Sequence, residues 1–490
     1  MKYRCFFRDS EVLTAVYDSM NQSTSVTNER GLTTSYERDA MGRITKETNA
    51  EGISIQYVYD RNGNLIKSVD GRGNTTAYTY DAENKLTKLV TAEGYVTEFV
   101  YDAAGKFVEM KNANGDTTSM SYDGDGNAIG TTNGLGFTTA YEYDRLGRIT
   151  KQINPDETSR SYTYDANGNL LTMTDERGNT TAYTYDAMDR LLSVTDPEGG
   201  KVSYTYTAAG QLASVKDQNG AITAYTYDGN NNVTSVTDGR GNTTAYEYDK
   251  LNRLTAVVDA EGGRTEYTYD EVGSLTSVKM PEGGVYGYSY DKADRNTSLT
   301  DALGNTETYT YDENGNCTSV TDRRGNTTTY TYDKMYNILT ATDALGNSVS
   351  YQYDKNGKQI QTTDAKGNVI TYTRDCMGRV IKEESESFGT KLYEYDLAGN
   401  LVKVTDAEGN VTVSEYNTQG NVVKVTDALG NVTQYEYNAL GKETQVIYAD
   451  GGTITREYDS SARVIKQINE LGVILQYKYD KNGNILTMYP

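Results

Sequence analysis

The sequence has no His, no Trp, only four Pro and only three Cys in 490 residues. Each scarcity removes a chemistry. Without His, a Ser-His-Asp or Cys-His relay has no general base, and a zinc site is left with scattered thiols and carboxylates. The cysteines, Cys5, Cys317 and Cys376, are odd in number and far apart, so they form neither a disulfide framework nor a metal-ligand spacing and read as packing thiols. Positive charge is short as well: 47 Lys and Arg face 69 Asp and Glu, a formal net charge of −22. Nucleic-acid affinity rests on cations that neutralise phosphates, so nucleic acid and anionic membrane are poor partners. No segment approaches the ~18 consecutive apolar residues of a membrane span. Met1 to Asp9 is basic at its start but lacks the apolar run of a signal peptide, so an export signal is expected outside this sequence.

What remains is unusually uniform. There are 45 Tyr against six Phe, and 47 Gly. From Tyr17, a tyrosine recurs every 21 residues through Tyr59, Tyr80 and Tyr101 to Tyr479, in 23 copies interrupted only by Arg38 and Arg374, with no insertion or deletion. Asp follows it in 20 copies; Thr207, Asn417 and Asn438 are the exceptions. The series divides the chain into a degenerate leading repeat, 1–16, and tandem repeats over 17–490, the last one truncated. A sequence that begins at position five of a repeat and stops at Tyr489-Pro490 reads as a fragment of a longer open reading frame.

One copy, Tyr164 to Thr184, contains two turn signals: Asp165-Ala166-Asn167-Gly168-Asn169 and Asp175-Glu176-Arg177-Gly178-Asn179. An Asp that bonds the backbone two residues on, followed by a Gly able to take positive φ, suits a type I turn closed by a bulge. The first-turn glycine is replaced by Asn or Asp in six copies; the second fails only at Glu157 and Phe388. Between turns lie short runs of Thr, Val, Leu and Tyr, the composition of strands. Each repeat is therefore a hairpin, and about 46 strands are expected. Tyr-x-Tyr pairs such as Tyr78/Tyr80, Tyr225/Tyr227 and Tyr309/Tyr311 share one face of a strand. On the other arm apolar residues stand three apart, as in Val233 and Val236, which requires either a bulge or contact on both faces.

A lone hairpin is marginal and needs neighbours. Some 46 strands at ~4.8 Å spacing make a ribbon on the order of 220 Å long and ~20 to 25 Å wide, and strand twist forbids so long a flat sheet. The expectation is an all-β, curved antiparallel sheet that coils as a spiral or shell with a thin wall and no thick dry core. Such a ribbon circles a lumen ~40 Å wide fewer than two times.

The motif Tyr-Asp-x-x-Gly-Asn/Arg-Leu, seen at Tyr59 to Leu65, Tyr143 to Ile149 and Tyr395 to Leu401, resembles the RHS/YD repeat of bacterial polymorphic toxins, toxin-complex cocoon subunits, wall-associated proteins and teneurins. The resemblance covers 17–490. It implies a spiralling β-sheet walling off a hollow shell, commonly around a C-terminal toxin payload. The conserved end of that shell, with its aspartate autoprotease and the following toxin, has no counterpart here. Asp196-Pro197-Glu198-Gly199 is similar to a cleavage box, yet it stands in the ordinary second-turn position and lacks the following Leu, so it reads as a turn.

Other sites are weighed in the same way. Repeated aspartates invite a hydrolase reading, but acid and base roles need environments that separate two pKa values, and these copies are near-identical. Asp123-Gly124-Asp125-Gly126-Asn127 begins like a calcium loop, but Ala128 and Gly134 stand where Gly and Glu are required. No catalytic, metal or cofactor residue is singled out, and no enzyme activity is expected. Tyrosine rows admit wall packing or glycan stacking. Ile381 to Thr390, with Glu383, Glu384, Glu386 and Phe388, is the least regular stretch and reads as a distorted turn or a docking point. The expected function is a structural shell segment, a scaffold or carrier in a secreted or cell-surface toxin-type protein, whose partners are a toxin payload or the remaining RHS shell. The alternative is an adhesive module for a cell-surface carbohydrate or receptor.

Overall fold

The computed structural model describes residues 2–8, 11–28 and 30–489, with side chains from Thr14 onward apart from residue 29. The Cys5 side chain and Pro490 lie outside the described residues. Those residues form 47 strands and no helix. Each repeat supplies a five-residue strand such as Leu65–Val69 and a six-residue strand such as Thr75–Tyr80. Two compact units divide the chain: residues 1–117 with 246–371, and residues 118–245 with 372–490.

Within each unit consecutive strands pair antiparallel. Across the second turn the ladder is Lys67↔Ala77, Ser68↔Thr76 and Val69↔Thr75. The next pair runs Ala77↔Val90, Tyr78↔Leu89 and Thr79↔Lys88, then skips one residue to Tyr80↔Leu86. That skip is a β-bulge, in which two residues oppose one. It settles the odd spacing of the short strand: Val233 lies opposite Tyr227 and Val236 opposite Tyr225, so residues three apart both join the tyrosine face. The reverse face carries Thr, Ser and charge, with contacts such as Thr268 to Ser277 at 2.6 Å and Lys424 to Glu415 at 2.8 Å.

Among the described residues only Ala15, Gly130, Ser193, Gly200, Ala221, Ala256 and Val446 are buried, and no large side chain is fully buried, so the sheet has no thick core. Tyrosine suits such a wall because its ring packs while its hydroxyl remains available to a polar partner.

Both turns close the same way. At the first, the Asp60 N–H donates to Asn64 O at 3.0 Å and the Gly63 N–H to Asp60 O at 3.3 Å; at the second, Asp70 and Asn74 with Gly73 repeat the pattern. The fourth turn residue sits at positive φ even where it is Asn21, Asp189, Ala462, Glu157 or Tyr336. The stretch Ile381 to Thr390 departs from this. Its hairpin pairs Ser385 with Gly389, and positive φ moves from the Phe388 position to Gly389, at 78°. Positive φ is costly for a bulky side chain, and here Gly389 takes it in place of Phe388 at little cost, whereas Tyr336 keeps it. The result is a shorter, well-formed turn.

Candidate functional site

The Tyr-Asp pair is a clasp between successive hairpins. The ladder across the second turn ends at Lys67↔Ala77, leaving the Leu65 carbonyl beyond its last paired residue, and Tyr80 donates its hydroxyl there at 3.0 Å. Tyr185 to Leu170 and Tyr416 to Leu401 repeat the bond at 3.0 and 2.9 Å. Backbone carbonyls left without a partner are costly, so the tyrosine serves a carbonyl that lies past the end of that ladder. Burial pushes the Tyr80 and Tyr185 phenols above their usual range, helped by the neighbouring Tyr78 and Tyr183.

The aspartate shapes the turn. Asp165 Oδ1 accepts the Asn167 and Asn169 N–H groups at 2.9 and 2.8 Å, and Oδ2 accepts the Asn169 amide at 3.0 Å. Where Arg ends the turn, it replaces that amide: Arg148 Nε donates to Asp144 Oδ2 at 2.7 Å, stacks 4.8 Å from the Tyr164 ring centre, and donates to Asp165 O at 2.8 Å. One arginine thus joins two successive Tyr-Asp motifs through a charge-assisted bond and a cation–π contact. The hydrogen bond from Arg148 holds Asp144 below the ordinary carboxylate range, and the Asn169 amide does the same for Asp165. All resolved carboxylate shifts among the described residues run downward, for instance at Asp39, Asp228 and Glu266.

The residues weighed from sequence fall into this scheme. In the cleavage-box look-alike, Asp196 Oδ1 accepts the Glu198 and Gly200 N–H groups at 3.0 and 2.8 Å, and Gly199 has φ 85°. In the calcium look-alike, Asp123 Oδ1 accepts Asp125, Gly126 and Asn127 N–H groups and Oδ2 the Asn127 amide. Cys317 donates its thiol to Ser319 O at 3.3 Å, and Cys376 is part-exposed. No cluster of three or more Cys, Asp or Glu positioned to hold a metal occurs among the described residues.

The feature that repeat-by-repeat reading missed is a seam. Within each unit, second turns of the earlier stretch meet first turns of the later stretch about twelve repeats on. In the first unit, Asn314 Nδ2 donates to Asp70 Oδ2 at 3.0 Å, the Arg72 N–H to Asn314 Oδ1 at 3.2 Å, and the Arg72 guanidinium to Asp333 O and Tyr332 O at 3.1 and 3.4 Å. Arg295 reaches Glu51 at 2.8 Å, and Asn114 reaches Asp354 at 3.0 Å. In the second unit, Gln419 Nε2 donates to Asp175 Oδ2, Arg177 donates to Gln419 Oε1 at 3.1 Å and to Asn438 O at 3.3 Å, and Asn482 donates to Asp238 Oδ2 at 2.5 Å.

Two repeat positions recur in these contacts. Asn314, Gln419 and Asn482 all stand three residues after the repeat tyrosine; Arg72, Arg177, Glu51 and Asn114 all stand thirteen after it. Close approach also constrains the backbone: a Cβ on Gly71 would lie 2.7 Å from Glu313 O. At Asp70 desolvation is outweighed by the Tyr336 hydroxyl across the seam and the Asn74 amide of its own turn, which hold the carboxyl low; at Asp238 the Asn242 and Asn482 amides overcome desolvation and bring the carboxyl to about 2. Tyr336 has φ 69° and gives its hydroxyl to Asp70 Oδ2 at 2.7 Å; burial and that bond push its phenol up to about 12. The signal available in sequence was compositional: position thirteen is Arg, Glu or Asn in nearly all early copies and often Leu in later ones.

The RHS Repeat family model matches residues 17–54, 59–96, 101–159, 164–201, 206–369 and 416–453, overlapping matches merged, which is more than half of the chain. The chain belongs to the RHS repeat family. No curated protein matches the sequence. Among solved structures, the RHS repeats here are similar to the crystal structure of TcdB2-TccC3, with TM-score 0.73 at 14% identity over 99% of this chain and 34% of that one. The TcdB2-TccC3-Cdc42 structure gives 0.61 at 14% identity over 95% and 31%. The Photorhabdus luminescens Tc holotoxin pore gives 0.54 at 17% identity over 98% and 28%. The RHS chain thus spans about a third of the length of these structures' chains, and at such identity the likeness is one of fold: all-β and solenoid-like.

Proposed function

We propose that this RHS-repeat chain is a shell segment, a scaffold or encapsulating carrier within a secreted or cell-surface bacterial toxin-type protein, whose payload lies outside the segment. The observation that carries the reading is the seam. Turn rows that bond to each other within each unit tie stacked hairpins into a wall, which a container requires and a display surface does not. Toxin-complex structures share the fold, and the reading extends their context to this chain. Catalysis forms no part of it: turn carboxylates that accept three or four bonds and shift downward together lack the separated acid and base that hydrolysis needs.

Protease protection tests the carrier role. The full gene product that contains this segment is digested with a nonspecific protease, with and without seam substitutions Arg72→Ala and Arg177→Ala. The expected result is a payload polypeptide that survives with the intact seam and is cleaved faster without it. Equal cleavage in both would defeat the reading. The competing adhesive function, on carbohydrate or a receptor, would need tyrosines presented to solvent, whereas the repeat tyrosines are half-buried and turn their hydroxyls to backbone. A glycan array is expected to return no binding.

A further inference from the structure

Each unit carries, besides its seam, two turn rows that remain exposed: first turns of its earlier stretch and second turns of its later stretch. Their composition differs from the rows already joined. At position thirteen of the repeat the later stretch of the first unit reads Glu261, Glu282, Leu303, Arg324, Leu345, Lys366, and the second unit has Leu429 and Leu471. Leu303, Leu345, Leu429 and Leu471 are 87%, 87%, 88% and 87% exposed. Single exposed apolar side chains are ordinary on a monomer, but here they recur at one turn position along one row of each unit.

The opposite row supplies the counterpart. Position three carries Met20 and Met41 in the first unit and Leu146 and Met188 in the second, at 61%, 70%, 72% and 75% exposure. Positions thirteen and three are the two that meet across the existing seam, as Arg177 and Gln419 do at 3.1 Å. Moreover, Leu135, at position thirteen of an early repeat, is less exposed than these leucines, and by the seam register its opposite number is Met377, which is 49% exposed against 61–75% for the unjoined row. In the second unit Leu146 and Met188 are two repeats apart, as are Leu429 and Leu471, so one register aligns both pairs at ~19 Å spacing along the row.

We propose that these rows dock on each other between copies: the leucine-tipped second turns of one molecule seat on the methionine- and leucine-tipped first turns of a second copy, continuing the seam with apolar in place of polar contacts. The two surfaces differ, so the interface is heterologous and open-ended, and association extends beyond dimers.

Sedimentation velocity over a concentration series, on the full chain, tests this. Two variants are used: Leu303→Asp, Leu345→Asp, Leu429→Asp and Leu471→Asp together, and Met20→Asp, Met41→Asp, Leu146→Asp and Met188→Asp together. Asp already occupies position thirteen at Asp156 and Asp450 and position three at Asp125, so the hairpins accept it, and circular dichroism checks that they fold. The unsubstituted chain is expected to grow in mass with concentration, each variant alone to stay monomeric, and an equal mixture to form a dimer that grows no further. A monomeric unsubstituted chain at every concentration, a variant that associates like it, or a mixture that fails to pair would each overturn the proposal. The test is independent of whether the chain carries a payload.

Discussion

Asp70 in one unit and Asp175 in the other stand at the same repeat position, and their seams are built from different side chains. Asp70 Oδ2 gathers the Asn74 amide, the Asn314 amide and the Tyr336 hydroxyl. Asp175 Oδ2 gathers the Asn179 amide and the longer Gln419 amide. The residue equivalent to Tyr336 is Gly441, relaxed at φ 71°. At the next position the first unit has Gly71 pressed on Glu313 O, and the second has Glu176, whose carboxylate binds Arg160 at 2.7 Å. A fixed spacing between rows is therefore met by interchangeable parts, and a strained tyrosine is retained where its hydroxyl closes the seam.

Acid gives the largest effect. Carboxylates held low in the fold stabilise it above their unfolded pKa, near 3.9, and that contribution is lost as pH falls through the folded value, about 2 at Asp238. Since turn aspartates recur in almost every repeat, circular dichroism is expected to show loss of structure between about pH 4 and 2. Retention of structure through that window would contradict the turn and seam roles. Next in size, Gly71→Val forces a side chain onto the Glu313 carbonyl and the Ile53 methyl and should cost roughly 1–3 kcal/mol in chemical denaturation. Glu176→Val, where a Cβ is already accommodated, should cost less; equal losses would mean that row spacing is not what Gly71 serves.

Arginine substitutions sharpen the comparison further. Arg72 binds two carbonyls and lies 3.6 Å from Asp312, while Arg177 is more exposed. Arg72→Ala is expected to lose about 1–2 kcal/mol and Arg177→Ala about half of that; the reverse order would break the assignment. Tyr336 separates bond from strain, and its glycine variant has the smallest net effect. Tyr336→Phe keeps the backbone strain and removes the Asp70 bond, a loss of about 1 kcal/mol. Tyr336→Gly also relieves a conformation that costs on the order of 1–3 kcal/mol, so its net change should fall near zero. A Phe variant as stable as the parent would show that the hydroxyl is idle.

The hairpins were legible because their signals are local. Asp followed by Gly at fixed spacing specifies the turn whatever lies around it, and Tyr183 and Tyr185 declare their common face by alternation. The bulge opposite each repeat tyrosine was half-legible: three-residue spacing in Val233 and Val236 demanded some irregularity without choosing one. At Phe388 the loss of the glycine was visible, but the transfer of positive φ to Gly389 depends on which neighbour the hairpin register can accommodate. The seam was not legible, since its partners are about twelve repeats apart and every repeat offers nearly the same Asp, Asn and Gly to bond with.

By itself, then, the sequence determined the repeat, the turns, the all-β class and a wall with no thick core, because short-range sterics and hydrogen bonding settle those within a few residues. Only the tertiary structure decided which turn meets which, and so made Arg72, Asn314 and Tyr336 different from their many copies. Seam partners such as Asn314 and Asp70 stand 244 residues apart in the chain, and nothing within a single repeat chooses among so many near-equivalent turns.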